Sequence, residues 1–179
     1  MFYFYPKIQL LPNKEENFLI ASLYKSENGT IAEYDRIFSS SQEEVWDVLT
    51  NNEKLKLWMH HLEITNLGKG GHIKFHFHDG SGNVEDITIT DFEEGRVLAF
   101  EWGNDIVRFA IQPKNKGTQL IMKQIISEIT DHTPKDLAGW HVCLLHFSDV
   151  VNKQFIHYPE NEWEKWYEKY KEQVEKIMS

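Results

Sequence analysis

From residue 70 to residue 126 apolar and polar side chains alternate, and short turns interrupt the alternation every six to ten residues. A period of two over so long a stretch constrains the fold more than any other feature of the chain. Ile73, Phe75 and Phe77 alternate with His72, Lys74, His76 and His78. After the turn cluster Asp79-Gly80-Ser81-Gly82-Asn83, Ile87 and Ile89 mark a second strand, and Glu94-Gly95 turns again. Leu98, Phe100 and Trp102 share the dry face of a third, and Val107, Phe109 and Ile111 that of a fourth. In the last, Lys123 marks the wet side and sets Leu120, Met122, Gln124 and Ile126 inward. Strands joined by turns this short pair antiparallel, so about five of them form a meander whose dry face needs a cover.

The cover is helical. Thr133-Pro134 is a start signal, with threonine as the cap and proline where its missing N–H is harmless. Leu137, Trp140, Leu144, Phe147 and Val151 then form one apolar stripe on a helix of about 20 residues, roughly 30 Å long. Upstream, residues 18–24 and 31–38 read as a hairpin turned by Asn28-Gly29. Ser41 and Glu44 have the spacing of a capping box ahead of a short helix carrying Val45, Trp46, Val48 and Leu49. Residues 52–59 predict a second short helix, with Leu55, Trp58 and Met59 on one side. Residues 162–177 predict a last amphipathic helix, with Trp163, Trp166, Tyr167, Tyr170, Val174 and Ile177 aligned. This order predicts an α+β fold, one domain over 1–179. Its core is 18–155, preceded by an irregular extension (1–17) and followed by an extra helix region (156–179). A twisted sheet curls, and a single long helix laid across its concave side leaves a hollow between them.

Composition narrows the function. Lys and Arg number 19 against 28 Asp and Glu, a net charge of −9 with no basic cluster. Nucleic acids and anionic membranes both bind through Lys and Arg, so neither is an expected partner. The single cysteine, Cys143, allows no internal disulfide and fits a reducing compartment. The N-terminal Met1-Phe2-Tyr3-Phe4-Tyr5-Pro6 is too short for a signal peptide, and no run approaches the roughly 20 apolar residues of a membrane span. A cytoplasmic location is expected.

Several segments form a recognisable set: Glu43-Glu44-Val45-Trp46-Asp47-Val48-Leu49-Thr50 with Leu57-Trp58-Met59, then Gly70-Gly71 and Leu98-Ala99-Phe100-Glu101-Trp102. Gly117-Thr118-Gln119-Leu120 and Gly139-Trp140 complete the set, which spans residues 31–151. Together they resemble the SRPBCC (START-like) superfamily, and within it the family of homologues of the activator of the heat-shock protein 90 ATPase. The resemblance implies a helix-grip fold, a curved antiparallel sheet wrapped around a long C-terminal helix. It implies three functions: binding of small apolar molecules, a polyketide cyclase or hydrolase activity, or modulation of a chaperone ATPase through the outer surface. Ser39-Ser40-Ser41 stands where such proteins usually carry a proline before the first helix.

The favoured expectation is a binding protein for a small hydrophobic, aromatic or lipid-like molecule, without a cofactor. Its cavity would be lined by Trp58, Phe75, Phe77, Ile87, Phe100, Trp102, Phe109, Met122, Trp140, Leu144 and Phe147. Gln124, the one polar residue among inward apolar ones, would either orient the guest or bond a backbone group. His141 would edge into the cavity beside the helix stripe. No catalytic pair emerges. His76 and His78, two apart on one strand, lack a third ligand nearby, so no metal site is expected. Cys143 reads as a buried structural thiol, and Gly139 either marks close helix–sheet approach or is simply tolerated. The aromatic face of the last helix would cover its own domain or serve as a homodimer or partner surface.

Overall fold

A computed structural model describes residues 19–179. The expected irregular segment 1–17, and Phe18, lie outside the described residues. Eight strands form one antiparallel sheet: β1 (Ser22–Ser26), β2 (Gly29–Phe38), β3 (Leu62–Asn66), β4 (His72–His76), β5 (Val84–Glu93), β6 (Val97–Trp102), β7 (Asp105–Lys114) and β8 (Gly117–Ile126). Their order is β1-β2-β8-β7-β6-β5-β4-β3. The five-strand meander is therefore β4 to β8, and β2 closes onto β8 from the other end of the chain. Two short helices, α1 (Gln42–Thr50) and α2 (Asn52–Leu55), carry the chain from β2, next to one edge, to β3 at the other. The long helix α3 (Thr133–Asn152) lies across the sheet, and α4 (Glu162–Met178) packs on α3 and β1. The result is the curved sheet and long helix of the helix-grip fold.

Local signals account for most boundaries. Ser41 caps α1 by accepting the Glu44 N–H, and the Glu44 carboxylate accepts the Ser41 N–H in return. The first hairpin is shifted from expectation: its first strand is Ser22–Ser26 instead of 18–24, and the return strand begins at Gly29 instead of Ile31. Its two-residue loop is Glu27-Asn28, and Gly29, at φ +123°, opens β2 in a conformation other residues rarely adopt. The second short helix stops at Leu55, although Trp58 and Met59 stay buried beyond it. Strand β3 was not expected. Its alternation of Leu62 and Ile64 with polar residues is short, and it forms by pairing with β4 at the edge of the sheet. In α3 the capping position falls on His132, which makes no side-chain cap bond. Thr133 instead accepts the Thr130 N–H with its hydroxyl.

The five stripe residues of α3 are all buried, and so are Trp166, Tyr170 and Val174 of α4. The aromatic face of α4 thus covers its own domain. Gly117 shows why the β7–β8 turn needs a glycine, because a methyl group there would overlap the Phe38 carbonyl oxygen. Gly139 has nothing within contact distance of an added Cβ, so close helix–sheet approach is not the reason for it.

Candidate functional site

The hollow expected between sheet and helix is filled at its centre. Trp58 donates its indole N–H to the Val48 carbonyl at 3.0 Å. This bond seats the ring edge-on against Phe147 (5.0 Å between centroids) and Phe109 (6.3 Å). Trp140 reaches Trp102 at 4.9 Å, Phe109 at 6.1 Å and Phe100 at 6.5 Å. Ile87, Met122 and Leu144 close the remaining gaps, buried with these rings. The void left among Trp58, Ile73, Phe100 and Phe109 is about 10 Å³, around the least that admits one water. Edge-to-face aromatic contacts of this kind favour tight closure over an open chamber. Ten of the thirteen residues expected to bind a guest, Trp58, Ile87, Phe100, Trp102, Phe109, Met122, Gln124, Trp140, Leu144 and Phe147, are thus brought together, but chiefly against one another.

The other three are placed differently. Phe77 is 41% exposed beyond the end of β4, because the strand stops at His76. Phe75 is half-buried at the rim of the core, edge-on to Trp102 at 5.7 Å and stacked on His61. His141 lies in the seam between α3 and α4 instead of at the hollow. Its ring stacks on Trp166 at 3.6 Å, and its Nδ1 shares a 2.7 Å hydrogen bond with the Tyr170 hydroxyl. Burial, followed by the charges of Arg36, Lys169 and Lys165, drives its pKa far down and keeps it neutral. Cys143 is half-buried against the core, and desolvation of its thiol pushes the pKa up to about 12, which makes it a poor nucleophile.

Open space survives at the two ends of α3. At its N-terminal end a cleft of about 430 Å³ lies between the β6–β7 turn, the end of β8 and the first turn of the helix. Asp136 forms its floor. The Trp102 indole N–H donates to both of its carboxylate oxygens, at 3.1 and 3.2 Å. The Gln124 amide donates to Asp136 at 2.5 Å and to Asp105 at 3.1 Å, and Asp105 also accepts the Ser127 N–H. Gln124 thus bonds carboxylates, neither of the two partners foreseen for it, and its own Oε1 is buried without a partner. Burial raises the pKa of Asp136 against the opposing pull of Trp102 and Gln124.

At the C-terminal end of α3 a groove of about 470 Å³ runs between the inner face of β2 and the helix. Its walls are largely apolar, with Leu19, Phe38, Leu145 and Ile156, and three charged residues stand among them, Asp35, Arg36 and Asp149. Strand period puts Arg36 in phase with Ala32, Tyr34 and Phe38, facing inward, and its side chain is 4% exposed. Nη1 donates to the Asp35 carbonyl at 2.8 Å, while Nε and Nη2 are buried without a partner. Desolvation lowers its pKa, with Tyr170, Tyr34 and Asp35 acting the other way, yet a guanidinium keeps its charge. Asp149 accepts a hydrogen bond from the Tyr158 hydroxyl at 3.2 Å, and burial pushes its pKa up to about 6.

A curved antiparallel sheet gripping a long helix, with clefts where the two part, defines a START-like α+β protein. The chain belongs to the family of activator of Hsp90 ATPase homolog 1-like proteins, whose family model matches residues 39–152. Among solved structures, a conserved protein of unknown function from Enterococcus faecalis superposes with a TM-score of 0.79 at 24% identity, covering 91% of this chain and 95% of that one. CalU16 from Micromonospora echinospora gives 0.63 at 15%, covering 88% and 94%. The Aha1 dimer from Colwellia psychrerythraea gives 0.56 at 22%, covering 68% and 95%. At these identities the likeness establishes the shared fold. No curated protein sequence matches the chain.

Proposed function

We propose that the protein binds a small, mainly apolar molecule bearing an acidic group, in the groove between β2 and the C-terminal half of α3. The observation that carries this reading is the buried, unpartnered Nε–Nη2 edge of Arg36, a residue that lines that groove. Those two N–H groups form one fork of the planar guanidinium, the geometry a carboxylate accepts in a bidentate pair. Burying a charge without a partner is costly, and a guest carboxylate offsets that cost while the apolar walls take its body. The guest class stays the hydrophobic or lipid-like one expected from the sequence, but its place moves from the filled centre of the hollow to one end of the helix. The family's START-like fold supports a binding role. Self-association, if present, would use the outer surface of the fold, since the buried face of α4 is already occupied.

The test is titration of decanoate, phenylbutyrate and the uncharged decanol into the protein and into Arg36→Met, followed by calorimetry. Saturable binding of the carboxylates, at least about tenfold weaker in the variant and for the alcohol, is the expected outcome. Equal binding of acid and alcohol, unaffected by Arg36→Met, would refute the reading.

A further inference from the structure

The edge of the sheet opposite Arg36 carries a different chemistry. His60 and His61 follow α2, and His78 follows β4; the pairing of β3 with β4 brings them together. One ring nitrogen from each residue lies within 4.8 Å of one from each of the other two. The ring centroids are 4.1 Å apart for His60 and His61, 5.3 Å for His60 and His78, and 5.2 Å for His61 and His78.

Backbone partners fix the protons of two of these rings, His61 and His78. His61 Nδ1 is 2.7 Å from the His76 carbonyl oxygen, which can only accept, so Nδ1 carries the proton and Nε2 keeps its lone pair. His78 Nε2 lies 3.3 Å from the His60 carbonyl oxygen, which leaves Nδ1 with the lone pair. An imidazole that donates one N–H to a carbonyl and offers the other nitrogen is the arrangement metal-ligating histidines adopt. Further support comes from Phe75, which stacks on His61 with ring planes 4° apart, and from Glu63, which bonds His76 at 2.8 Å. His78 itself sits at φ +50°, a conformation that costs a non-glycine residue and turns its chain out of the strand. Three such rings in contact repel one another once protonated, so the cluster suits a ligand that takes lone pairs.

We propose that His60, His61 and His78 form a binding site for a divalent transition metal of the zinc and cobalt kind. Neutral imidazoles suit these ions, and three of them leave a fourth coordination position open to water or a small anion. In a tetrahedral site with bonds of about 2.1 Å, ligand nitrogens stand roughly 3.4 Å apart. The rings reach that spacing by rotating about their side-chain bonds, which surface residues do readily. His76 and His78 alone do not suggest such a site, because its other two ligands come from a separate loop.

The test uses the full chain without an affinity tag. Cobalt(II) is titrated while its visible absorption is followed, and zinc is then added as competitor. The proposal predicts one equivalent bound, the intense absorption of tetrahedral cobalt, and its loss on adding zinc. His61→Gln and His78→Gln should each weaken binding by on the order of 100-fold. His72→Gln, which alters an exposed histidine of the same strand, and Arg36→Met should bind cobalt as the parent does. Circular dichroism melts of the variants separate lost ligation from lost folding. Octahedral-type absorption only, or equal affinity in His61→Gln, His78→Gln and His72→Gln, would overturn the site.

Discussion

The two ends of the long helix handle a buried charge in opposite ways. At the N-terminal end the Asp136 carboxylate receives N–H groups from Trp102 and Gln124 and stands in the first turn of a helix, where a negative charge is favoured. Its needs are met from within the fold. At the C-terminal end Arg36 gives one N–H to a neighbouring carbonyl and keeps its buried Nε–Nη2 fork unpaired. A cleft whose buried charge is already hydrogen-bonded reads as structure, whereas a groove whose charge keeps unpaired N–H groups reads as a place for something else. Volume does not separate them, since the clefts measure about 430 and 470 Å³. The pairing of the charge does.

Substituting each charge by an apolar residue of similar size should expose the contrast. Asp136→Leu strands the Trp102 N–H and leaves the Gln124 amide only Asp105 as acceptor, and should lower stability by about 2 kcal/mol. Arg36→Met removes an unpaired buried charge, and should raise stability by about 1–3 kcal/mol while abolishing carboxylate binding. Gain of stability with loss of binding is the signature of a residue kept for function. Urea denaturation of both variants measures the pair. If Arg36→Met is the more destabilised of the two, the guanidinium is a structural element and the contrast between the ends disappears.

Asp149 sharpens the comparison through pH. Its pKa is about 6 when folded, above the ordinary value near 3.9 in an unfolded chain, so folding favours its protonated form. The penalty for ionising it is absent below pH 4, grows from pH 4 to 6 and stays constant above. The parent should therefore lose stability over that window relative to Asp149→Asn. The same carboxylate stands in the groove with Arg36, where above pH 6 it repels an anionic guest. Binding of decane sulfonate, which stays ionised throughout, should tighten on the order of threefold as pH falls from 7 to 5. His146 beside Tyr158 also titrates lower than usual because of burial, so Asp149→Asn is the needed control. A pH dependence identical in that variant would remove Asp149 from the account.

The architecture was readable because one strong signal ran through about a third of the chain. Alternation over residues 70–126, the capping box at Ser41 and the α3 stripe specify sheet, helix and the face each buries. Whether the hollow stays open was not readable. It depends on Trp58 turning in from a loop beyond α2 to meet Phe147, a contact that no local period encodes. Arg36, by contrast, left a signal. A charged residue in phase with Ala32, Tyr34 and Phe38 on a dry strand face is anomalous by the same alternation that located Gln124. His141 misled because a helix packed on two sides has two buried faces, and the docking of α4 is a tertiary fact. The His60–His61–His78 cluster required β3, the one strand without a clear signal of its own.

Gly139 offers the smallest effect and a test of the helix that joins the two ends. Its place between Ala138 and Trp140 invites the idea that the helix is thinned there to keep the hollow open. The structure shows no neighbour within reach of an added methyl group and no positive φ at this position. Gly139→Ala should then act mainly by lowering the entropy of the unfolded chain and raising helix propensity, a gain of about 0.5–1 kcal/mol. Both clefts should be untouched, so carboxylate affinity at Arg36 and the environment of Trp102 by fluorescence should match the parent. A loss of stability would mean that α3 moves closer to the sheet than this arrangement shows, and that the filled centre opens and closes in solution. Hydrogen exchange of the Trp140 backbone amide would then be faster than that of Leu144 in the parent, although both side chains are buried to the same degree.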